Sequence, residues 1–269
     1  MTGSGPSLGR EVGRGLRSVV QELGSGRVVK IPHPETPARW IRDEWRHLLM
    51  AERSGAPSPR SAELVEMSGA VGLSYDHLLG SVMWDALLDD PERAGEFGAT
   101  LWTLPSDLFG RPASYALPHQ RDRLRAKLQV AATAHGLDVG AAVSWVLEQR
   151  GSVGLCHGDL HPKNVVLTEW GPVLVDWFDA CRGLVAAEVA RTTTLLASFA
   201  VDVAGDDHGD GAADAVRLVH DVYLDAATTS GRVDPVDVER WEIVQQAGRL
   251  AEGLGADRAP GLAERLRSF

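Results

Sequence analysis

Apolar and polar positions alternate along the first third of the chain, and this spacing predicts strands. Gly24-Ser25-Gly26 is typical of a tight hairpin turn between two of them. Over Ala38–Arg53 the apolar positions recur at helical spacing, and Gly55 is expected to end that helix. The predicted strands occupy residues 7–23, as two strands joined by a glycine turn, and residues 27–32, 62–67 and 71–75.

From residue 80 onward the apolar spacing is mostly helical. The last of these helices begins at Asp234-Pro235, a capping residue followed by proline in the first turn. Residues 105–118 contain three prolines and few periodic apolar positions, so we predict a loop there. The predicted helices cover residues 82–88, 92–101, 121–135, 139–149, 186–203, 212–229 and 236–254.

Composition favours an ordinary soluble enzyme. The chain has 269 residues, of which 44% are hydrophobic and 24% charged. The N-terminus lacks the basic and apolar segments of a secretory signal, and no stretch approaches the roughly 18 apolar residues of a membrane helix. The two cysteines, Cys156 and Cys181, fit a reducing compartment better than a disulfide scaffold. We therefore expect a cytoplasmic protein without membrane partners.

Charge is spread unevenly along the chain. Residues 1–78 have 10 basic and 9 acidic side chains, whereas residues 79–269 have 17 and 28, which accounts for the net charge of −10. An acidic second part argues against nucleic-acid binding, which requires a basic surface. It could attract a cationic substrate by long-range steering. The alternative is an acidic surface that only faces water, as most charge runs do.

The motif that indicates chemistry is His157-Gly158-Asp159, followed by Asn164 five positions after the Asp. Asp176 comes later, at the end of the apolar run 173–175. Phosphoryl transfer needs one carboxylate to orient the attacking hydroxyl, and an amide oxygen and a second carboxylate to hold magnesium. The spacing from Asp159 to Asn164 matches that of a kinase catalytic loop.

The loop itself, with His157-Gly158-Asp159-x-His161-x-x-Asn164, resembles the aminoglycoside phosphotransferase family and its small-molecule kinase relatives. The resemblance implies an α+β, protein-kinase-like fold of two lobes. Residues 1–78 would form a strand-rich, nucleotide-binding lobe that ends in a hinge, and residues 79–269 a mostly helical lobe. Asp159 would be the catalytic carboxylate, and Asn164 and Asp176 would hold Mg²⁺.

A short glycine motif lies at the first strand turn, where Gly13 and Gly15 precede Ser18. Glycines at such a turn let backbone N–H groups approach and bind phosphates. The motif precedes a strand, and Ser18 stands where a dinucleotide fingerprint has its third glycine, so a Rossmann site is disfavoured. The alternative is a plain hairpin turn.

Lys30 is an unusual choice of residue, because the chain has 24 arginines and only three lysines. A compact ammonium suits a crowded site between phosphates better than a planar guanidinium. Glu44 shares the apolar face of the predicted helix with Ile41 and Leu48, so it needs a buried partner. Lys30 is the natural partner, as in the kinase lysine–glutamate pair. The alternative is that Glu44 faces solvent beside Arg42 or Arg46.

Residues 71–80 resemble the hinge that holds the nucleobase. By this resemblance the backbones of Asp76 and Leu78 would bond the purine edge, and Tyr75 would control access to the deep part of the pocket. A bulky ring there disfavours adenine in its usual pose and admits guanine, which leaves both ATP and GTP open as donors.

Several polar residues near the motif allow more than one interpretation. His157 is expected to brace the backbone, His161 is ambiguous, and Asp179 either contacts substrate or caps a turn. Zinc binding by Cys156 and the two histidines is disfavoured, because histidines four apart on a proline-containing loop make a poor cage. The acidic segment 206–211 lacks the glutamate that completes a calcium loop, so we expect a polar loop.

One departure from the family pattern follows Arg182-Gly183, where Leu184-Val185 replaces the usual Asp-Pro. The missing carboxylate is expected to brace a loop, so its loss bears on local structure more than on chemistry.

We therefore expect a phosphotransferase that moves the γ-phosphoryl group of ATP or GTP, with Mg²⁺, to a hydroxyl of a small cationic molecule such as an aminoglycoside or related antibiotic. The alternative enzyme is a kinase for a metabolite such as choline, an amino alcohol or a sugar. From another class, the alternative is a nucleotide-binding regulator without turnover. A regulator would be expected to lack at least one of the residues needed for catalysis. The chain has the full set, which argues against a regulator: Lys30, Glu44, Asp159, Asn164 and Asp176.

Overall fold

The first part of the chain folds into a five-stranded antiparallel sheet with strand order β1-β2-β3-β5-β4. The computed structural model describes residues 8–67, 69–111, 113–205, 209–253 and 261–269. The strands of this sheet are β1 (Glu11–Arg14), β2 (Ser18–Gly24), β3 (Arg27–Pro32), β4 (Glu63–Met67) and β5 (Ala70–Asp76).

The turn between β2 and β3 has the conformation that its glycines predict. Gly24, Ser25 and Gly26 all have positive φ angles, of 80°, 53° and 72°. Two glycines at such positions avoid the steric cost that a Cβ atom would bring, so the hairpin can close tightly. The pairing that follows sets Lys30 opposite Leu73 of β5, in the centre of the sheet.

Helix α1 (Ala38–Arg53) has the bounds that the apolar spacing predicts, and Ser54 and a left-handed Gly55 follow it. It packs against β5 and against the segment Trp177–Asp179 from the second part of the chain. Its buried face recurs every three or four residues and consists of Trp40, Ile41, Glu44, His47, Leu48 and Ala51.

The second part of the chain is mainly helical. Two small sheets lie among the helices: one contains β6 (Gly80–Val82), β8 (Val165–Thr168) and β9 (Gly171–Leu174), and the other pairs β7 (Val153–Cys156) with β10 (Cys181–Leu184). The helices are α2 (Met83–Asp89), α3 (Ala94–Leu108), α4 (Gln120–His135), α5 (Gly140–Glu148), α6 (Val185–Ala204), α7 (Gly209–Thr229), α8 (Pro235–Leu250) and α9 (Leu262–Leu266).

Helix α6 forms the centre of this part, with contacts to α7 and α8 along its length. Its residues 187–196 are all buried, and they include Glu188 and Arg191. Buried charged groups need hydrogen-bonding or ionic partners. We therefore expect Glu188 and Arg191 to contact polar groups at the start of α6. None of the described helices is both long enough and apolar enough to cross a membrane.

The structure corrects the prediction of a loop over residues 105–118, because α3 continues to Leu108 with Pro105 inside it. Proline removes one backbone N–H and usually breaks a helix. Here Leu101, Leu104 and Leu108 are buried on one face, and the N–H of Phe109 donates to the Pro105 carbonyl at 3.0 Å. Packing of this apolar face therefore outweighs the lost hydrogen bond.

One further prediction about elements needs correction, and one strand has no predicted counterpart. The last long helix ends at Leu250 rather than at residue 254; Gly253 adopts a left-handed φ of 92° in the turn that follows, and residue 254 lies outside the described residues. The short strand β6 has no counterpart among the predicted elements, since three residues carry little periodicity. Of the acidic segment 206–211, residues 206–208 lie outside the described residues, and Gly209 begins α7.

Candidate active site

The predicted catalytic loop connects β7 to β8, and hydrogen bonds to the Glu188 side chain of α6 hold it in place. The Glu188 carboxylate accepts hydrogen bonds from the backbone N–H groups of His157, at 2.8 Å, and Gly158, at 3.0 Å. Gly158 has a φ of 78°, and a Cβ atom there would collide with the carbonyl of Asp179. The loop therefore follows a path that only this glycine allows, and α6 holds it in place.

His157 braces a second segment of backbone. Its Nε2 lies 3.0 Å from the Val175 carbonyl, and its ring packs at 4.7 Å from that of Trp177. Burial lowers the pKa of His157, so the ring is neutral and Nε2–H is the donor. This contact ties the catalytic loop to the residue before Asp176, which agrees with the bracing role expected for His157.

Asp159 points its carboxylate into a set of polar partners. Arg191 Nη2 donates to Oδ1 at 2.8 Å, and His161 Nε2 lies 3.4 Å from Oδ2. Burial by itself would raise the pKa of Asp159, but His161 and the Arg191 guanidinium hold it well below its usual value. Asp159 is therefore an ionised carboxylate, with Oδ1 restrained by Arg191.

Asn164 and Asp176 lie side by side at the end of the loop. The Asn164 amide nitrogen donates to the Asp159 backbone carbonyl at 2.9 Å, which leaves its side-chain oxygen for another partner. The Val175 N–H donates to the Asn164 carbonyl at 3.0 Å, so Asp176 is held next to it. Asp176 has left-handed dihedrals, φ 63° and ψ 64°, a conformation that often marks functional sites.

The side chain of Lys30, on β3, extends to Asp176. Its ammonium lies 2.7 Å from Glu44 Oε1 and 3.1 Å from Asp176 Oδ1, so the predicted contact with Glu44 is present. Burial alone would lower the pKa of Lys30 and raise that of Glu44. The two carboxylates outweigh burial and raise the pKa of Lys30, so the ammonium is charged. It also lies 4.8 Å from the Trp40 ring centroid, a cation–π contact.

Gly13, Gly15 and Ser18 lie at the turn between β1 and β2. Neither glycine has a positive φ, and an added Cβ would meet only ordinary contacts, at 3.8 Å from Val20 and from the Ser18 carbonyl. The protein's own packing therefore does not require glycine at either position. Ser18 is buried at the start of β2, and the Gly15 N–H donates to its carbonyl at 2.9 Å.

Of the predicted hinge residues, Tyr75 and Asp76 are the last two residues of β5, and Leu78 lies two positions after the strand. Tyr75 shares its face of the sheet with Leu73, the cross-strand neighbour of Lys30, and burial raises the pKa of its hydroxyl. The Asp76 side chain is engaged by Arg27 at 3.4 Å and by the Ser61 hydroxyl at 3.0 Å. Any contact of Asp76 with a nucleobase would therefore involve its backbone, as the resemblance implies.

Asp179 forms an ion pair with Arg123 of α4 at 3.1 Å. It is therefore engaged in an ion pair rather than only capping a turn.

Sequence reasoning missed Glu188 and Arg191, the two charged residues at the start of α6. Both lie inside a predicted helix whose other residues are mainly apolar, and they are three positions apart, on neighbouring faces. A buried pair of opposite charges in an apolar helix was the available signal. The loop brace expected at position 184 is provided instead by Glu188, four residues later.

Comparison with known proteins places the chain in a family. A sequence profile of the phosphotransferase enzyme family matches residues 10–223, most of the chain. The chain therefore belongs to this phosphotransferase enzyme family, and the predicted resemblance is confirmed. Among curated proteins, no sequence matches the chain significantly.

Solved structures show the same fold at low sequence identity. A choline/ethanolamine kinase family protein from Mesorhizobium loti is 16% identical, with a TM-score of 0.55 over 99% of this chain and 89% of that chain. Amicoumacin kinase hAmiN, in complex with AMP-PNP, Ca²⁺ and Ami, is 14% identical, with a TM-score of 0.57 over 95% and 86%. APH(2")-IIa, in a ternary complex with streptomycin and ATP, is 14% identical, with a TM-score of 0.56 over 98% and 91%. The predicted α+β, protein-kinase-like fold is confirmed.

Proposed function

We propose that this protein transfers the γ-phosphoryl group of ATP or GTP to a hydroxyl group of a small molecule. The observation that carries the proposal is one connected cluster of four residues, joined by an ion pair and by hydrogen bonds to the backbone. Lys30 lies 3.1 Å from Asp176. The N–H of Val175, the residue before Asp176, donates to the Asn164 carbonyl, and the Asn164 amide donates to the Asp159 backbone carbonyl. Phosphate binding, metal binding and hydroxyl orientation are thereby available in one place.

Asp159 orients the acceptor hydroxyl and accepts its proton. Because Arg191 restrains Oδ1, the acceptor would bind at Oδ2, whose contacts with His161 Nε2 at 3.4 Å and the Asn164 amide at 3.5 Å are longer. A carboxylate with a lowered pKa is a weak base, so we assign Asp159 a role that is mainly orientation, with proton acceptance late in the reaction. Positioning and charge neutralisation then supply most of the acceleration.

Lys30 binds the donor phosphates, and the glycine loop covers them. Glu44 fixes the ammonium by a short contact at 2.7 Å, so little side-chain freedom is lost when nucleotide binds. Gly13 and Gly15 allow backbone N–H groups to approach the phosphates, and Ser18 lies at the end of this loop.

Asn164 and Asp176 would hold Mg²⁺. One amide oxygen and one carboxylate fit this ion, which usually takes one or two protein oxygens and completes its shell with phosphate and water. Asp176 is 40% exposed and Asn164 keeps its side-chain oxygen uncommitted to Asp159, so both can face a bound nucleotide. When bound, Mg²⁺ neutralises phosphate charge in the transition state.

The donor is ATP or GTP, bound along the hinge by the backbones of Asp76 and Leu78. Tyr75 precedes this segment in β5, and by the family resemblance its ring would narrow the space that adenine normally uses. Turnover measured in parallel with ATP and with GTP gives the donor preference. If the Tyr75 ring selects guanine, Tyr75→Ala should increase the ratio of ATP turnover to GTP turnover.

The sequence predicts a cationic acceptor for two reasons: residues 79–269 have an excess of acidic side chains, and the resembled family includes aminoglycoside phosphotransferases. Several structural neighbours are named with aminoglycosides, and one belongs to a choline/ethanolamine kinase family. The ion-pair network that includes Asp159 has three basic groups, Lys127, Arg191 and Arg249, and two carboxylates, Asp159 and Glu252. A metabolite kinase is therefore the second candidate function, and a regulator without turnover is the third.

Acceptor-dependent release of diphosphate tests the proposal. The purified protein, with Mg²⁺ and either ATP or GTP, is assayed against aminoglycosides, peptide antibiotics, macrolides, choline, sugars and hydroxy acids. Asp159→Asn serves as the inactive control. Stimulation by an acceptor that vanishes in Asp159→Asn supports transfer. Tight nucleotide binding with no turnover on any acceptor or on water would favour the regulator.

A further inference from the structure

Three basic side chains converge on one carboxylate beside the candidate site. Glu252 Oε1 lies 2.6 Å from Lys127 Nζ, and Oε2 lies 3.0 Å from Arg191 Nη1 and 3.1 Å from Arg249 Nη1. We refer to Lys127, Arg191, Arg249 and Glu252 as the Glu252 cluster. The Lys127 and Glu252 side chains are 26% and 22% exposed, so solutes can reach this side of the cluster, whereas the Arg191 side chain is 5% exposed.

The Glu252 cluster adjoins the catalytic carboxylate. Arg191 bridges the two, with Nη1 toward Glu252 at 3.0 Å and Nη2 toward Asp159 at 2.8 Å. The two terminal nitrogens of one guanidinium are neighbours. The Glu252 carboxylate is therefore separated from the Asp159 carboxylate, which would receive the acceptor hydroxyl, by this one guanidinium group.

Basic groups are relatively frequent here, although the whole chain is acidic. Among the described residues, the ion-pair network that includes Asp159 and the adjacent Arg123–Asp179 pair contains four basic groups and three carboxylates. The nearby Glu188 carboxylate is occupied by backbone N–H groups of the catalytic loop. With Glu188 included, four basic groups and four carboxylates lie together here, in a chain with a net charge of −10.

Glu252 can leave this position without unfolding an element. It lies in the turn after α8, where its N–H donates to the Arg249 carbonyl at 3.0 Å, and Gly253 follows with a φ of 92°. Rotation of its side chain toward solvent keeps this backbone intact. The three basic groups come from α4, α6 and α8, and therefore stay in place as a preformed anion-binding arrangement.

We propose that Lys127, Arg191 and Arg249 form an acceptor subsite for an anionic group, which Glu252 occupies until the acceptor displaces it. The acceptor is then a small alcohol with a carboxylate or phosphate a few bonds from its reacting hydroxyl, such as a hydroxy acid or a hydroxyalkyl phosphate. This inference rests on the proposed phosphoryl transfer, because it takes Asp159 as the point where the hydroxyl binds.

Matched acceptors of different charge test this subsite. Glycerol, glycerate, glycerol phosphate and aminopropanediol share a three-carbon skeleton and differ in charge. We expect an apparent KM for glycerate or glycerol phosphate at least roughly tenfold lower than for glycerol, the effect of one charge-assisted hydrogen bond or more. Comparison of glycerate with glycerol phosphate distinguishes carboxylate from phosphate. Preference for aminopropanediol, or equal KM values for all four, would overturn the proposal.

Two variants separate a displaceable carboxylate from a structural one. Glu252→Gln removes the internal competitor and should lower the KM for the anionic acceptor severalfold, whereas Arg249→Gln removes a binding group and should raise it. A merely structural Glu252 would instead leave that KM unchanged or raise it. Unchanged nucleotide affinity in both variants shows that they are folded.

A binding measurement separates this proposal from the proposed function. Calorimetric titration of glycerate and glycerol phosphate is made with the nucleotide site saturated by a non-hydrolysable ATP or GTP analogue. Tighter binding to Glu252→Gln than to wild type, and weaker binding to Arg249→Gln, supports the subsite even if no turnover is found. Absence of binding to all three proteins would overturn it, even if another acceptor is phosphorylated.

Discussion

At the scale of single residues, the candidate site is built from groups that are each fixed by a partner. Lys30 is fixed by Glu44, Asp159 Oδ1 by Arg191, and Asp176 by a left-handed backbone next to Asn164. Aspartate tolerates this conformation better than most residues, but it still has a cost, which persists only where surrounding contacts maintain it. Preorganisation of this kind is what phosphoryl transfer requires.

Asp176→Asn should weaken Mg²⁺-dependent nucleotide binding while leaving the fold intact. Asparagine also tolerates left-handed dihedrals, so the change removes charge and little else. Because even indirect contacts to a metal ligand alter metal affinity by roughly 10–100-fold, we expect a loss of at least about tenfold. Calorimetric titration of nucleotide with and without Mg²⁺ measures it. Asp179→Asn, which also removes a carboxylate from an ion pair, is the control, and equal losses in the two variants would contradict the role of Asp176.

The contact between Lys30 and Glu44 could be predicted from sequence because each residue breaks a local pattern. A lone lysine in an arginine-rich chain and a carboxylate on an apolar helix face both indicate a special environment. The link from Arg191 to Asp159 could not be predicted. It joins residues 32 positions apart, and nothing in the local spacing specifies which carboxylate an internal arginine meets.

At the scale of elements, the first turn of α6 determines the position of the catalytic loop. Glu188 accepts N–H groups from His157 and Gly158, and Gln245 of α8 donates to the Ala187 carbonyl at 3.0 Å. Helix α6 therefore connects the loop to the helical core. Its mainly apolar sequence predicts burial, but the polar contacts at its start depend on the loop that lies above it.

Glu188→Gln should loosen the catalytic loop. The variant keeps one acceptor oxygen but weakens both hydrogen bonds. Because burial raises the pKa of Glu188 to about 7, loss of its charge should by itself change the free energy of unfolding little. The kcat should fall, while the KM for nucleotide changes little. Denaturant unfolding and steady-state kinetics provide these values. Glu242→Gln is the matched control, since Glu242 accepts a hydrogen bond from Thr193 away from the loop. Equal kcat values in the two variants would rule out a specific bracing role.

At the scale of the whole molecule, a few polar contacts join distant segments. The Phe178 carbonyl accepts His47 Nδ1–H of α1 at 2.8 Å and Arg123 Nη2–H of α4 at 3.3 Å. Glu252 similarly joins α4, α6 and α8 through its three basic partners. The strand-rich and helical parts are thus held together at the segment that follows Asp176.

Stability should depend on pH through Glu252. Burial raises the pKa of its carboxyl, but Arg191 and Lys127 outweigh burial and lower that pKa from 4.5 to about 2. A lowered folded-state pKa gives stability that is present above about pH 4.5 and is lost as the pH falls toward 2. Glu252→Gln should therefore lower the free energy of unfolding by about 2 kcal/mol at pH 7.

The difference between wild type and Glu252→Gln should shrink as the pH is lowered from 5 to 3. Urea unfolding of both proteins across this range gives the two curves. A difference that stays constant with pH would show that Glu252 acts through packing rather than through charge.

Most of the fold follows from sequence periodicity, since the first hairpins and α1 have the expected positions. The exceptions have physical causes. Helix α3 passes through Pro105 because its apolar face is buried, and β6 forms because Gly80 approaches the Leu167 carbonyl where a Cβ would collide. Both depend on partners far along the chain, which local spacing does not contain.

The most direct test of the central claim is a single-turnover measurement of the γ-phosphoryl group. Enzyme in excess over γ-labelled nucleotide, with Mg²⁺, is followed as label moves to an acceptor or to water, in wild type and in Asp159→Asn. We expect transfer to fall by roughly 10²–10⁴-fold in the variant, at nearly unchanged nucleotide affinity. Label that leaves the nucleotide equally fast in both proteins would contradict a catalytic role for Asp159.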